Sequence, residues 1–199
     1  APLNVPPSYP ISAIYRNTAP SPTAPWVMPG KYNIKLTVDG KTYSQTISVK
    51  MDPRVHTAEK DLLLQHDWSL YAYNSIKKTI QALDEISYVK TQVKKLVSIA
   101  GNDLVLELSG LDQQLLALEN APKGSSVPGL RKMENDFSTL FNVLQDSDNA
   151  PTSQAIKAAN KLKQDLMRLE DAWRMIKDKT IPELNRKLTA HSLSPVKMK

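Results

Sequence analysis

Cysteine is absent from this 199-residue chain, which excludes a disulfide framework, a thiol nucleophile and a cysteine zinc site. Glycine is scarce, at six, and too scattered to build a phosphate-cradling loop or a dinucleotide fingerprint. The three histidines, His56, His66 and His191, form no i, i+4 or HExxH pair, so no zinc-site pattern exists. No GxSxG supplies a nucleophile elbow, and no run of about 18 apolar residues could span a membrane. No cofactor or metal is therefore expected. Residue 1 is alanine without a basic-then-apolar leader, so the expectation is a removed leader or a piece of something longer. What is present, 41% hydrophobic and 23% charged residues, is average for soluble chains and excludes a disordered tail or a collagen-like sequence.

A net charge of +6 and a pI near 9.4 suggest an anionic partner until the charge is located. Arg16, Lys31, Lys35, Lys41, Lys50 and Arg54 face only Asp39 and Asp52 before residue 58, and Lys197 and Lys199 sit in the tail. Residues 58–196 hold 18 charges of each sign. A duplex-binding face needs clustered cations to displace counterions, so nucleic acid is not an expected partner.

Two regimes meet near residue 57. Nine of the 14 prolines lie at or before Pro53 and hold the early chain in polyproline-like arms. Between them Tyr9 to Tyr15, YPISAIY, carries enough aromatic and β-branched residues for one short strand. Tyr32, Ile34, Leu36 and Val38 alternate with polar residues up to Asp39-Gly40, which suits a two-residue type I′ turn. That turn predicts the pairs Val38–Lys41, Leu36–Tyr43, Ile34–Gln45 and Tyr32–Ile47, with the apolar side chains on one face. Too few residues are present for a complete immunoglobulin-like sandwich of about 100. The expectation is a partial β-sandwich that is incomplete or leans on helices.

From Thr57, a predicted N-cap, the period becomes helical. Tyr73, Ile76, Ile80, Leu83, Ile86, Val89, Val93, Leu96 and Ala100 form one stripe on a helix running unbroken to Gly101. Leu104, Leu108, Leu111, Leu115 and Leu118 mark a second helix over 103–119, weakened by Gly110. Leu130, Met133, Phe137, Leu140 and Leu144 mark a third. A fourth opens near Thr152, carries Ile156 through Ile176, and must kink or restart at Pro182. The predicted fold is mainly α with a small β part: residues 1–56 hold arms and the sandwich-like piece, and 57–199 an up-down bundle of four helices, the first very long.

Catalytic constellations are thin. Asp84-Glu85 and Glu170-Asp171 could act as paired carboxylates, but neighbours on a helix diverge by about 100°, so they read as solvated faces. Trp68, Tyr71 and Tyr73 suit a seat between helix and hairpin better than a sugar platform. Trp26, held between Pro25 and the Met28-Pro29 pair, is either a clamp onto a neighbouring surface or an exposed platform, with the clamp favoured. Trp26, Tyr9, Tyr15, Trp68 and Tyr71 make up the candidate interaction surface.

The run PWVMPGKYNIKLTVDGKTYSQTISVKMDPRV, Pro25 to Val55, followed by a long helix and a bundle, resembles the C-terminal region of large secreted bacterial proteins. Their preceding part is a sortilin-like or sialidase-like β-propeller, commonly labelled a glycosyl hydrolase with bacterial neuraminidase repeats. The specific part is PGxYxxxLxVDGKxYxQ with the Met51 to Val55 junction. The resemblance implies an extracytoplasmic chain and a propeller in the same polypeptide as partner, with any hydrolytic site in that propeller. Its SxDxGxxW boxes do not occur here, so no catalytic residue carries over, and the hydrolase label rests on fold similarity. The expected function is a non-catalytic accessory module that docks on or spaces the propeller. The alternatives are a carbohydrate- or envelope-binding module using exposed aromatics, with glycan as ligand, and a self-associating helical scaffold.

Overall fold

Asp39 and Gly40 take left-handed backbone angles, φ 49° and 76°, and so reverse the chain between β1 (Gly30–Val38) and β2 (Lys41–Val49). This is seen in a computed structural model that describes residues 24–199. The register is the predicted one: Val38 faces Lys41, Leu36 faces Tyr43, Ile34 faces Gln45 and Tyr32 faces Ile47. The opposite face is polar, and there Thr37 and Thr42 share a hydrogen bond of 3.1 Å while Thr46 donates to Asn33 at 2.7 Å. The described sheet consists of these two strands, and no immunoglobulin-like sandwich is seen among the described residues. The segment 9–15 and the arms before residue 24 lie outside them.

Asp52-Pro53-Arg54 turns the chain from sheet to helices. The Val55 amide donates to the Asp52 carbonyl at 2.9 Å, and the Asp52 carboxylate accepts from the Arg54 amide at 2.9 Å and from its guanidinium at 2.6 Å. That side-chain hydrogen bond holds the Asp52 carboxyl below its usual range.

α1 (Glu59–Val97) spans 39 residues, about 58 Å at 1.5 Å per residue. Thr57 is not its cap. The N-cap position is Ala58, without a side-chain bond, because the Thr57 hydroxyl donates instead to the Asp148 carbonyl at 2.5 Å. The helix also stops short of Gly101, since the Ile99 and Ala100 amides both turn back to the Leu96 carbonyl. Ile80 falls off the apolar stripe and is exposed, while Thr79 takes the buried position and donates to the Ser75 carbonyl at 2.8 Å.

The other three expected helices are present. They are α2 (Asn102–Asn120), α3 (Leu130–Gln145) and α4 (Ser153–Met175), the last capped by the Thr152 hydroxyl, which accepts from the Ala155 amide. Their arrangement departs from a four-helix up-down bundle. Gln145 at the end of α3 bonds Ser69 near the start of α1, whereas Leu130 at the start of α3 lines one small cavity with Thr79 and Ala82. α3 is therefore antiparallel to α1, as is α2, which leaves α1 through a short turn. α2 and α3 succeed one another along a single broken rod, and the chain reverses twice rather than three times. The jog between them is closely packed. Gly129 packs so closely that a Cβ there would lie 2.5 Å from the Glu119 carbonyl oxygen, and the buried Glu119 carboxylate takes Lys90 at 2.5 Å and Arg131 at 3.4 Å.

The third rod is α4 continued by α5 (Ile181–Ala190) through a π-helical turn at Ile176–Thr180. A proline in an α-helix lacks one amide donor and presses its ring on the carbonyl four residues back. The wider turn, in which the Ile181 amide reaches Ile176, shifts the register just before Pro182 and lets the helix go on. The C-terminal tail folds back along α1. Asn185 exchanges two hydrogen bonds with the Val196 backbone, and Gln92 exchanges two with that of Lys197. The seam of the bundle is closed by Ile86, Val89, Val93, Leu108, Leu111, Leu115, Met133, Phe137, Phe141 and Leu188, all buried.

Candidate functional site

The hairpin joins the bundle where α1 begins and α3 ends, and Trp26 is the tie. Its backbone amide donates to Gln145 Oε1 at 2.7 Å and its indole Nε1 to the Gln145 carbonyl at 3.3 Å. Gln145 is itself fixed from inside, donating through Nε2 to Ser69 Oγ at 2.8 Å, which donates on to the Gln65 carbonyl at 2.8 Å. Gln65 Nε2 in turn donates to the Leu144 and Ser147 carbonyls. This buried polar chain satisfies the end of α3 and orients the residue that holds Trp26. Both nitrogens of Trp26 are thus spent on the bundle while the residue stays 62% exposed. It is a clamp by its polar edge, and its ring faces solvent.

Trp68 and Tyr71 do not join Trp26 in one surface. They pack edge to face with centroids 5.7 Å apart, and Tyr71 meets Phe137 of α3 at 6.0 Å. The Lys163 ammonium of α4 lies 5.5 Å from the Tyr71 ring. Burial pushes the Tyr71 phenol up. The seat expected against the hairpin is therefore against α3 and α4, because the hairpin is anchored at the bundle's end and does not lie along α1. Tyr73 is buried beside Phe141 at 6.4 Å. Tyr9 and Tyr15 lie outside the described residues.

The carboxylate neighbours are each held by a partner of their own. Asp84 pairs with Lys199, Glu170 with Lys78 at 3.2 Å and Asp171 with Arg174 at 2.6 Å. Glu85 corrects the reading of a solvated face. Its side chain is only 16% exposed, accepting from Trp173 Nε1 at 3.1 Å and from Gln81 at 3.0 Å, with the Lys177 ammonium at 3.5 Å. Burial pushes this carboxyl up, but the bonds from Gln81 and Trp173 and the charge of Lys177 outweigh it and leave the group below its usual range. Among the described residues no cluster of three or more His, Asp or Glu side chains could hold a metal, and no helix is long and apolar enough to cross a membrane.

Two apolar open surfaces stand out among the described residues. A groove of about 890 Å³ runs between the jog, α3 and α4, with Val127, Pro128, Leu140, Val143 and Leu162 among its walls. The lysines at its edge are matched, Lys132 to Asp136 at 2.7 Å and Lys161 to Asp165 at 2.5 Å. The other surface is the apolar face of the hairpin, where Ile34, Leu36, Val38, Tyr43 and Ile47 are between 39% and 59% exposed. Alternation in the sequence identifies that face. The Gln65–Ser69–Gln145 chain was not read from the sequence, although two polar residues four apart on a core-facing stripe are its signal.

Compared with protein-family models, with curated proteins and with solved structures, the chain finds no match.

Proposed function

We propose that this chain is a non-catalytic accessory module of a larger extracytoplasmic polypeptide, a rod that docks on and spaces a β-propeller carrying any hydrolytic or ligand-binding site. The observation that carries the reading is the uncovered apolar face of the hairpin at one end of the bundle. A two-stranded ribbon is marginal in water by itself, and each large apolar side chain gains about 1.5–3 kcal/mol from full burial. Five such side chains half in water mark a sheet that wants a second layer, in the manner of an immunoglobulin-like sandwich supplied by the rest of the polypeptide. A rod of about 58 Å beyond it suits a spacer. The resemblance of Pro25 to Val55 to the C-terminal regions of propeller proteins supports the same reading.

An antibody raised against residues 57–199, used on fractionated source cells, tests it. A species far heavier than 22.2 kDa outside the cytoplasm is the expected result. A free species of that mass, or aryl glycoside cleavage by the isolated chain that a carboxylate substitution abolishes, overturns it.

One observation favours a second reading, a glycan-binding module. With both nitrogens of Trp26 bound to Gln145, the ring is pre-organised to stack on the apolar face of a sugar. Titration of the protein with soluble envelope glycans, wild type against Trp26→Ala, decides it, since binding lost in the variant is required.

A further inference from the structure

α1 and α5 hold the segment 193–199 between them, by contacts that do not require it to belong to the same chain. We propose that this channel is a binding site for extended peptides, selective for a β-branched apolar residue with a lysine three places on, and that residues 193–199 are a strap that fills it in cis. The proposal is independent of the docking role proposed for the hairpin.

The first observation is how the backbone is held. Residues 193–199 contain no helix or strand of their own. Asn185 of α5 donates through Nδ2 to the Val196 carbonyl at 2.9 Å and accepts at Oδ1 from the Val196 amide at 2.7 Å. Gln92 of α1 does the same for Lys197, donating through Nε2 to its carbonyl at 2.8 Å and accepting from its amide at 2.9 Å. In an extended chain both polar groups of one residue face one side and those of the next face the other, so the two helices grip opposite edges of the segment. Each side-chain amide stands in for a neighbouring strand. Main-chain bonds of this kind give affinity without reading sequence, as they do where a peptide adds to a sheet edge.

The second is how sequence would be read, through alternate side chains. Val196 is 3% exposed and belongs to the core cluster, whereas Pro195 and Lys197 on either side are exposed. Further on, Lys199 pairs with Asp84, which lies about two turns before Gln92 on α1. The segment therefore runs antiparallel to that helix. Pro195 has no amide to satisfy, and it biases Ser194 toward the extended form.

The third is the contrast between seat and occupant. Gln92 is flanked in sequence by Val93 and, three residues back, Val89, and Asn185 by Leu184 and Leu188, all buried in the common core. Both amides thus sit on helices anchored by the whole bundle, and Gln92 Nε2 is oriented further by the Tyr88 carbonyl at 3.3 Å. The strap has less to hold it, with Leu193 and Val196 as its side chains on the core. It leaves α5 through Ser192 at φ 58°, a left-handed position that glycine normally fills at a helix end, so its closed course runs against a local backbone preference. Tethering keeps it at an effective concentration on the order of millimolar. An outside peptide then binds with an affinity reduced by the fraction of time the channel is closed.

The test uses a fluorescein-labelled synthetic peptide with the sequence of residues 191–199, titrated by anisotropy against two full-length proteins. These are the wild type and Val196→Asp, whose own strap is expelled because its carboxylate cannot enter the core; circular dichroism verifies the helices of the variant. The expected result is binding to Val196→Asp at least ten-fold tighter than to wild type. That binding should be lost when the peptide itself carries Val196→Asp, and weakened by Lys199→Glu in the peptide or by Gln92→Ala added to the protein. Equal affinity for the two proteins, binding indifferent to these substitutions, or no binding to a helical Val196→Asp protein overturns the proposal. Hydrogen exchange of the unaltered protein is the second measurement, and it decides the matter should the variant not fold. The Val196 and Lys197 amides should be at least ten-fold less protected than those of Val89, Val93 and Leu188, because the strap opens by itself. Equal protection of all five would make the segment an inseparable part of the core and overturn the proposal.

Discussion

At single residues the structure separates positions that the sequence makes look alike. Gly110 and Gly129 are both glycines near helix boundaries or interiors, yet a Cβ at Gly110 meets nothing within 4 Å, whereas at Gly129 it meets backbone atoms of Glu119, Asn120 and Ala121 at 2.5–2.6 Å. Gly110→Ala in the middle of α2 should stabilise the protein by about 0.5–1 kcal/mol, since alanine is the better helix former. Gly129→Ala should destabilise it by about 1–3 kcal/mol, because backbone cannot move aside as a side-chain tip can. Urea denaturation of the two variants reads both, and a Gly129→Ala protein as stable as wild type would show that the jog yields. Glu85 gives a pH-dependent counterpart. Its carboxyl is lowered in the folded protein from an ordinary value of 4.5, so protons bind the unfolded chain more readily. The stabilisation is complete above about pH 4.5 and is lost as the pH falls through the folded value. Glu85→Gln keeps an acceptor for Trp173 but does not titrate. The stability gap between wild type and variant should shrink on acidification below pH 4.5, measured by denaturation at a series of pH values, and a gap constant across that range would remove Glu85 as a contributor.

Helices and strands were far more legible than their arrangement, and the reason is physical. The alternation of Tyr32 to Val38 and the Asp39-Gly40 pair specify a register locally, since a two-residue turn leaves one pairing. The leucine spacings of α2 and the Leu130–Leu144 pattern of α3 report which face is buried, without reporting against what. Whether α3 doubles back beside α2 or continues beyond it depends on residues outside either stripe: Glu119, which draws Lys90 and Arg131 together, Gly129, and Gln145, which reaches Ser69. The reciprocal amide clamps of Asn185 and Gln92 on the tail were equally hidden, because a lone Asn or Gln on a helix surface has no pattern. In α3 the difference between faces has a direct consequence. Phe137 is fully buried between Tyr71 and the core, and Val143 is largely exposed. Phe137→Ala should cost about 3–5 kcal/mol through the cavity it leaves, while Val143→Ala should change stability by no more than about 0.5 kcal/mol. Thermal unfolding of both variants checks this, and a costly Val143→Ala would reveal that the groove between α3 and α4 is closed in solution.

On the scale of the whole molecule, a slender rod with a hairpin at one end poses the question of which part depends on which. Phe137, Phe141, Met133 and the leucines of α2 belong to one buried cluster that draws all its members from the helices and the tail. The hairpin adds no side chain to it. The described link between the two is the Asp52–Val55 turn, the residues around Met28 and Met51, and the pair of hydrogen bonds from Trp26 to Gln145. Removing residues 1–56 would leave the Gln65–Ser69–Gln145 chain in place, since its donors and acceptors come from α1 and α3. Gln145 Oε1 would then accept from water at an open end of the bundle, so the loss should be near one or two hydrogen bonds, about 1–2 kcal/mol. We expect a fragment of residues 57–199 to retain the helical circular dichroism of the full chain and one cooperative urea transition. The slope of that transition should be little reduced, because slope follows the area exposed on unfolding and the described core cluster lies in the rods and the tail. The converse follows from the same geometry. A fragment of residues 24–56 contains the hairpin without a covering layer and should show no cooperative transition. Should the 57–199 fragment lose its transition instead, the hairpin would be a structural part of the bundle, and the case for a separate docking element would fall with it.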